Sequence, residues 1–202
     1  MYSGRVEAAE RLIESTRALL WERGYVGTSP KAIQAHAGVG QGSMYHHFAG
    51  KAALAHAAIE RTAAELRAAA EAQLGGDGPV LPRIEAYLRR ERDVLRGCPV
   101  GRLTQDPDVM ADTELRRPVE ETFTWLRARL GALLAEGVAA GELTGLDPPA
   151  TAATIVAVLQ GGYVLARAAG SGEPFAQAVD GLGALLAAHA APTGQDHVHP
   201  AR

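Results

Sequence analysis

Between Thr113 and Ala140 the apolar residues Val119, Phe123, Leu126, Leu130 and Leu133 fall at steps of 4, 3, 4 and 3. That spacing lays one apolar stripe along a long helix, and such a stripe is stable only when another element covers it. The chain supplies partners of the same kind. Val6, Ala9, Ile13 and Leu20 repeat at helical spacing, with Leu12 and Leu19 widening the face, and Phe175, Val179, Leu182 and Leu186 do so near the other end. Val, Ile and Thr are too thin for a sheet-rich protein, so the expected class is all-α.

Glycine and proline punctuate the pattern. Gly24, Gly38-Val39-Gly40, Ala49-Gly50, Gly75 to Pro79, Gly97, Pro107, Gly141, Asp147-Pro148-Pro149 and Gly170-Ser171-Gly172 separate the helical stretches. Helices are expected over 5–23, 30–37, 41–48, 51–74, 82–96, a short stretch after Cys98 interrupted by Pro107, 113–140, 150–169, and the segment carrying the Phe175–Leu186 stripe. Ser29-Pro30 reads as an N-cap followed by proline in the first helical position. The fifth helix is expected to bury Ile84, Leu88 and Leu95, with Gly97 at its end.

The net charge of −3 gives no hint of a polyanion partner, but its distribution does. From Arg23 to Ile59 there is no Asp or Glu, while Arg23, Lys31, Lys51, His36, His46, His47 and His56 are present. Phosphates repel carboxylates, so an acid-free surface suits DNA. The single cysteine, Cys98, forms no internal disulfide, and the charged first turns leave no apolar signal region; a cytoplasmic setting is expected. The uncharged run from Pro148 to Ala166 approaches a membrane span in length. Its Pro148-Pro149, Thr151, Thr154, Gln160 and Gly161-Gly162 favour a helix buried in protein, and no membrane partner is expected.

Two short helices joined at Gly38-Val39-Gly40 fit a helix-turn-helix. Ile33 and Ala37 would pack on Val39, Met44 and Phe48, leaving Gln41, Ser43, Tyr45, His46 and His47 for an outer, groove-facing surface. With Glu22-Arg23-Gly24-Tyr25, Thr28-Ser29, Ala37-Gly38-Val39, Gly42 to Phe48 and Lys51 in order, residues 11–59 resemble the DNA-binding domain of the bacterial TetR family. The resemblance implies a nine-helix architecture with an N-terminal helix-turn-helix domain over 1–50 and a C-terminal ligand-binding and dimerisation domain over 51–190, while the residues from Ala190 onward read as a loose tail, with disorder expected over 191–202. It also implies a homodimer on a palindromic double-stranded DNA operator, acting as a repressor, with a small-molecule effector that releases the DNA. Carried onto this sequence, it implies phosphate contacts from Thr28, Ser29, Lys31 and Lys51, and groove contacts from Gln41, Gly42, Ser43 and Tyr45, with Tyr45 and His46 at phosphate or base. Where the family often has Ser-Lys, this chain has Gly40-Gln41. Glutamine pairs with adenine in the major groove, so Gln41 is expected to read a base, and one positive charge fewer predicts a shallower salt dependence. Gly97 to Gly101 and the helices after it look like the LmrA/YxaF-like subgroup, which implies a bulky, largely apolar ligand.

The remaining chemistry-bearing residues have plainer readings. His46 and His47 are adjacent, point in different directions on a helix and make a poor chelate; no metal or cofactor is expected. Arg89, Arg90, Arg92 and Arg96 interleave with Glu91 and Asp93 and read as a solvated face. Cys98 has no second cysteine beside it and reads as a buried structural residue. His197 and His199 read as tail residues. Tyr87, Gln105, Trp125 and Tyr163 are the candidate walls of a cavity between the fourth and seventh helices, with Gln105 a polar anchor. No nucleophile elbow, phosphate loop, metal-ligand set or paired carboxylates is present, so an enzyme is not expected. The competing reading is a DNA-binding regulator with no small-molecule effector. The last two helices are apolar on more than one face, with Gly161, Gly162, Ala166, Gly181 and Ala184 among their small residues. They are expected to form a four-helix bundle with a second copy, setting the recognition helices roughly 34–36 Å apart.

Overall fold

The computed structural model describes residues 3–191, so His197, His199 and the rest of 192–202 lie outside it, as does the side chain of Val6. Among the described residues there are nine α-helices: α1 (Ser3–Arg23), α2 (Pro30–Ala37), α3 (Gln41–His47), α4 (Lys51–Leu74), α5 (Val80–Arg89), α6 (Pro107–Ala111), α7 (Thr113–Ala139), α8 (Pro148–Ala169) and α9 (Glu173–Ala187). A 3-10 turn over Gly101–Gln105 precedes α6. Four of the starts carry side-chain caps. Ser29, Asp106, Asp112 and Asp147 each accept from backbone N–H groups at the start of α2, α6, α7 and α8, satisfying donors that a helix cannot pair internally. Gly38 ends α2 in the left-handed region at φ 63°, a conformation that favours glycine.

One expected boundary fails. The fifth helix starts at Val80 and stops at Arg89, so Gly97 does not end it. The reason is Arg92, whose guanidinium donates to the carbonyls of Leu88 and Arg90 at 2.7 and 2.8 Å and of Tyr87 at 2.5 Å. A continuing helix would need the Tyr87 and Leu88 carbonyls for its own N–H groups, so this side chain caps α5 instead. Residues 90–100 then run as a turn-rich loop, and Leu95, expected in the core, is 48% exposed.

Two apolar cores form. One joins α1, α2, α3 and the first half of α4 to Val100, Leu103, Val109, Leu115 and Val119. The other joins the end of α4 to α5, the middle of α7, α8 and α9. Both α4 and α7 therefore belong to both cores: Leu54 to Ala63 and Leu115 to Val119 in the first, Ala70 to Leu74 and Leu126 to Leu134 in the second. Phe123 and Tyr163 pack against both. Close-packed interiors transmit displacement rather than absorb it, so the shared helices are mechanical links between the two ends.

Candidate nucleic-acid interface and inner pocket

Helix α3 has an inner and an outer side. Met44 is fully buried among Ile33, Ala37, Leu20 and Leu54, and half-buried Val39 and Phe48 pack beside it. A helix turns by about 100° per residue, so fixing Met44 inside turns Gln41, Gly42, Tyr45 and His46 outward, all exposed. Ser43 and His47 are half-buried at the sides. The His47 ring lies 6.5 Å from that of Phe48 and 5.1 Å from that of His46. A Cβ added at Gly42 would meet nothing within 4 Å, so space inside this chain does not explain its glycine.

The rest of the outer rim comes from the starts of α2 and α4. Ser29 is exposed and its hydroxyl accepts from the Ala32 N–H at 3.1 Å. Lys31 is exposed in the first turn of α2. The Lys51 ammonium lies 3.8 Å from the centre of the Tyr25 ring, a cation–π contact that fixes its direction. Burial lowers the Lys51 pKa, partly countered by the negative charges of Asp106 and Asp108. Thr28 does not join this rim. It is 1% exposed, and its hydroxyl donates to the Gly24 carbonyl at 2.7 Å, closing the turn that leads into α2. A side chain so placed has no path to a phosphate, so the expected contact from Thr28 is corrected to a structural one.

Asp106, which the sequence did not single out, joins this rim to the C-terminal part. One of its carboxylate oxygens accepts from the Tyr25 and Val26 N–H groups at 2.7 and 3.0 Å. The other accepts from the Asp108 and Val109 N–H groups at 3.2 and 3.3 Å, capping α6. Gly24, at φ 74°, admits this approach: a Cβ there would sit 2.9 Å from the carboxylate.

Behind the rim lies a pocket of about 490 Å³. Its walls come from α4, α5, α7 and α8, and also from α1, through Trp21 and Arg17, and from the 90–100 loop. Tyr87 and Tyr163 both border it. Burial pushes the Tyr163 hydroxyl up to about 12, so it stays protonated and able to donate at neutral pH. A second pocket, about 660 Å³, shares Gly97, Cys98, Phe123, Gln160 and Tyr163 with the first and is bordered by Gln105. Trp125 borders neither; it packs, partly buried, on the C-terminal core. Thr122, Phe123 and Leu126 turn to the first pocket, and the residue beside Leu126 is rotated off that face.

The arginines also depart from expectation. Arg90, Arg92 and Arg96 line the first pocket rather than a solvated helix face. Arg96 lies 3.9 Å from the Trp21 ring centre and donates to the Ala18 carbonyl at 3.2 Å. Trp21 Nε1 donates to the Gly97 carbonyl at 2.9 Å, and Arg102 donates to the Trp21 carbonyl. The pocket loop is thus stitched to α1. The signal available in the sequence was the density of arginine between 89 and 102, which says nothing of the helix it meets. Cys98 is buried and borders both pockets, its sulfur accepting from the Gly101 N–H at 3.2 Å. Among the described residues, no group of three or more His, Cys, Asp or Glu could hold a metal.

Comparison with known proteins agrees with this geometry. Residues 12–58 match the model described as bacterial regulatory proteins, tetR family, and residues 80–182 match the tetracyclin repressor-like C-terminal domain. The HTH-type transcriptional repressor DhaR of Mycobacterium sp. (strain GP1) is 26% identical over 180 residues, covering 86% of this chain and 89% of that one. The transcriptional regulator AcuR of Cereibacter sphaeroides is 32% identical over 153 residues, covering 72% and 69%. A TetR transcriptional regulator from Chloroflexus aurantiacus superposes with a TM-score of 0.84 at 28% identity, covering 93% of this chain and 98% of that one.

Proposed function

The chain belongs to the tetR family of bacterial regulatory proteins, and on that premise we propose that it is a dimeric, ligand-responsive repressor. Its family consists of transcription regulators with a helix-turn-helix DNA-binding domain, not enzymes. In this reading residues 1–50 are the DNA-reading head and 51–190 bind the effector and the second subunit, in the cytoplasm. Helix α3 enters the major groove of each half of a palindromic operator. Gln41 and Tyr45 meet base edges, Gly42 and Ser43 lie against the groove, and His46, Ser29, Lys31 and Lys51 hold the backbone. The supporting observation is the outward face of α3 in an acid-free stretch, flanked by the oriented Lys51. Repression is favoured by the relative named a repressor.

Release of DNA runs through the shared helices. A ligand in the first pocket touches α1, α4 and α7 at once. Tilting α4 moves Lys51 and with it the seating of α3, and coupling of about 1–3 kcal/mol between the two sites suffices. The test is binding to the protein's own upstream region by gel shift, followed by selection of the preferred site from random sequence. A palindrome is expected, with Gln41→Ala relaxing preference at one base per half-site. Absence of any preferred sequence defeats the repressor reading.

A further inference from the structure

Arg90 and Arg92 stand on either side of one unresolved charge problem. Their guanidinium carbons lie 5.4 and 5.3 Å from the centre of the same Tyr87 ring, and both border the first pocket. Among the described residues neither is in an ion pair, although Arg17, Arg61, Arg83, Arg89, Arg117 and Arg129 all are. The nearby carboxylates do not answer them. Four carboxylates border the same pocket, but Glu14 and Glu65 bind Arg17, and exposed Glu91 and Asp93 form no ion pair with Arg90 or Arg92, Asp93 accepting instead from the Arg96 N–H at 3.1 Å. The Arg90 Nε is buried and has no hydrogen-bond partner. Arg92 is lowered from the ordinary arginine range by burial, and the positive charge of Arg90 lowers it further. Two like charges facing one ring, one drawn out of water by burial and one with a buried, orphaned donor, favour an anion between them. Next to them are Leu66, Val100, Phe123, Leu126, Leu159 and Tyr163, a mainly apolar and aromatic wall.

We propose that the first pocket takes a monocarboxylate on an apolar, aromatic-sized body, its carboxylate held by Arg90 and by the N–H groups of Arg92 left over from the helix cap. A planar guanidinium offers parallel donors that match a carboxylate, which a neutral oxygen cannot use as fully. The ring of the ligand lies toward Phe123, Leu126 and Tyr163. This deepens the reading of the pocket as the effector site and rests on it for its role, though not for its chemistry.

The experiment is calorimetric titration of the full chain with benzoate, trans-cinnamate and 2-naphthoate, each beside its primary amide, with operator release followed in parallel. At least one acid should bind about tenfold or more tightly than its amide, the worth of a charge-assisted hydrogen bond at a buried group. Arg90→Met should erase that preference by weakening the acid far more than the amide, with the thermal midpoint unchanged. Amides binding as tightly as acids, no acid binding, or a preference that survives Arg90→Met would each overturn the proposal. Should the amides also release DNA as well as the acids, the effector reading stands without the anion site. Should the acids bind and release nothing, the anion site stands without the effector role.

Discussion

Lys51 lies half-buried over the Tyr25 ring at the start of α4, while Thr28 turns inward to the Gly24 carbonyl, and the difference has a measurable consequence. Lys51→Ala removes a cation from the rim. Binding to every sequence should weaken alike, and the slope of log affinity against log salt should drop by about 0.9 per half-site. Thr28→Val removes a buried donor's bond instead. It should lower unfolding free energy in urea by about 1 kcal/mol and leave the salt slope as it is. A reversed pattern would exchange the two roles. The sequence could not separate them, because both residues flank short helices and both match positions where phosphate contacts are expected. What separates them is the turn at Gly24, where a left-handed residue lets Thr28 fold back and brings Asp106 within reach.

Helices were legible wherever punctuation and stripe agreed. The stripe of α7, the Ser29-Pro30 start of α2 and the Gly170 stop of α8 all lie where spacing and capping put them. The 90–100 loop was not legible, since its helix is ended by an arginine side chain reaching back rather than by glycine or proline. The pocket walls were legible only in part, because Trp21, Tyr87 and Tyr163 border one pocket from positions so far apart in sequence that no local pattern encodes it. Asp106 is the element-scale tie that results. Asp106→Ala takes away the cap of α6 and leaves the Tyr25 and Val26 N–H groups unpaired, so stability should drop by about 1–3 kcal/mol. Ligand binding should persist in Asp106→Ala while ligand-induced DNA release weakens; full retention of release would show that coupling bypasses the tie. Helices α4 and α7 are also pinned by Glu71, which accepts from Arg129 at 2.8 Å. The hydrogen bond from Arg129 holds the Glu71 carboxyl below the usual carboxylate range. A carboxyl depressed in the folded state adds stability above its unfolded pKa and loses it as pH falls through the folded one. The pair is solvent-exposed, so the effect is small. Glu71→Gln should unfold at a slightly lower temperature near neutral pH and converge with the parent chain below about pH 4; a gap unchanged with pH would assign the difference to something other than this charge.

At the scale of the whole molecule, α8 and α9 leave an apolar face without a partner in the single chain. Val164 and Leu165 on α8 are 55% and 54% exposed, and Leu185 on α9 is 68% exposed. Exposed alanine and glycine surround them: Ala157, Gly161, Ala168, Gly181 and Ala184. Helix α8 is long and apolar enough to cross a membrane, yet only 33% of its most apolar window is buried within the chain. Three large apolar residues among small ones, on two adjacent antiparallel-packed helices, make a surface that a second copy can cover closely, because small residues let backbones approach while the large ones interlock. A two-fold arrangement uses the same patch twice and closes on itself, which suits a palindromic operator. Charge placed in that face should be costly in the pair and nearly free in the single chain. Leu165→Asp with Leu185→Asp is therefore expected to leave helix content and the thermal unfolding of the head intact, while sedimentation at micromolar concentration shifts from two chains to one. Operator affinity should fall by several orders of magnitude, since each half-site then binds alone. A doubly substituted chain that still sediments as a pair would place the dimer elsewhere and leave this apolar face unexplained.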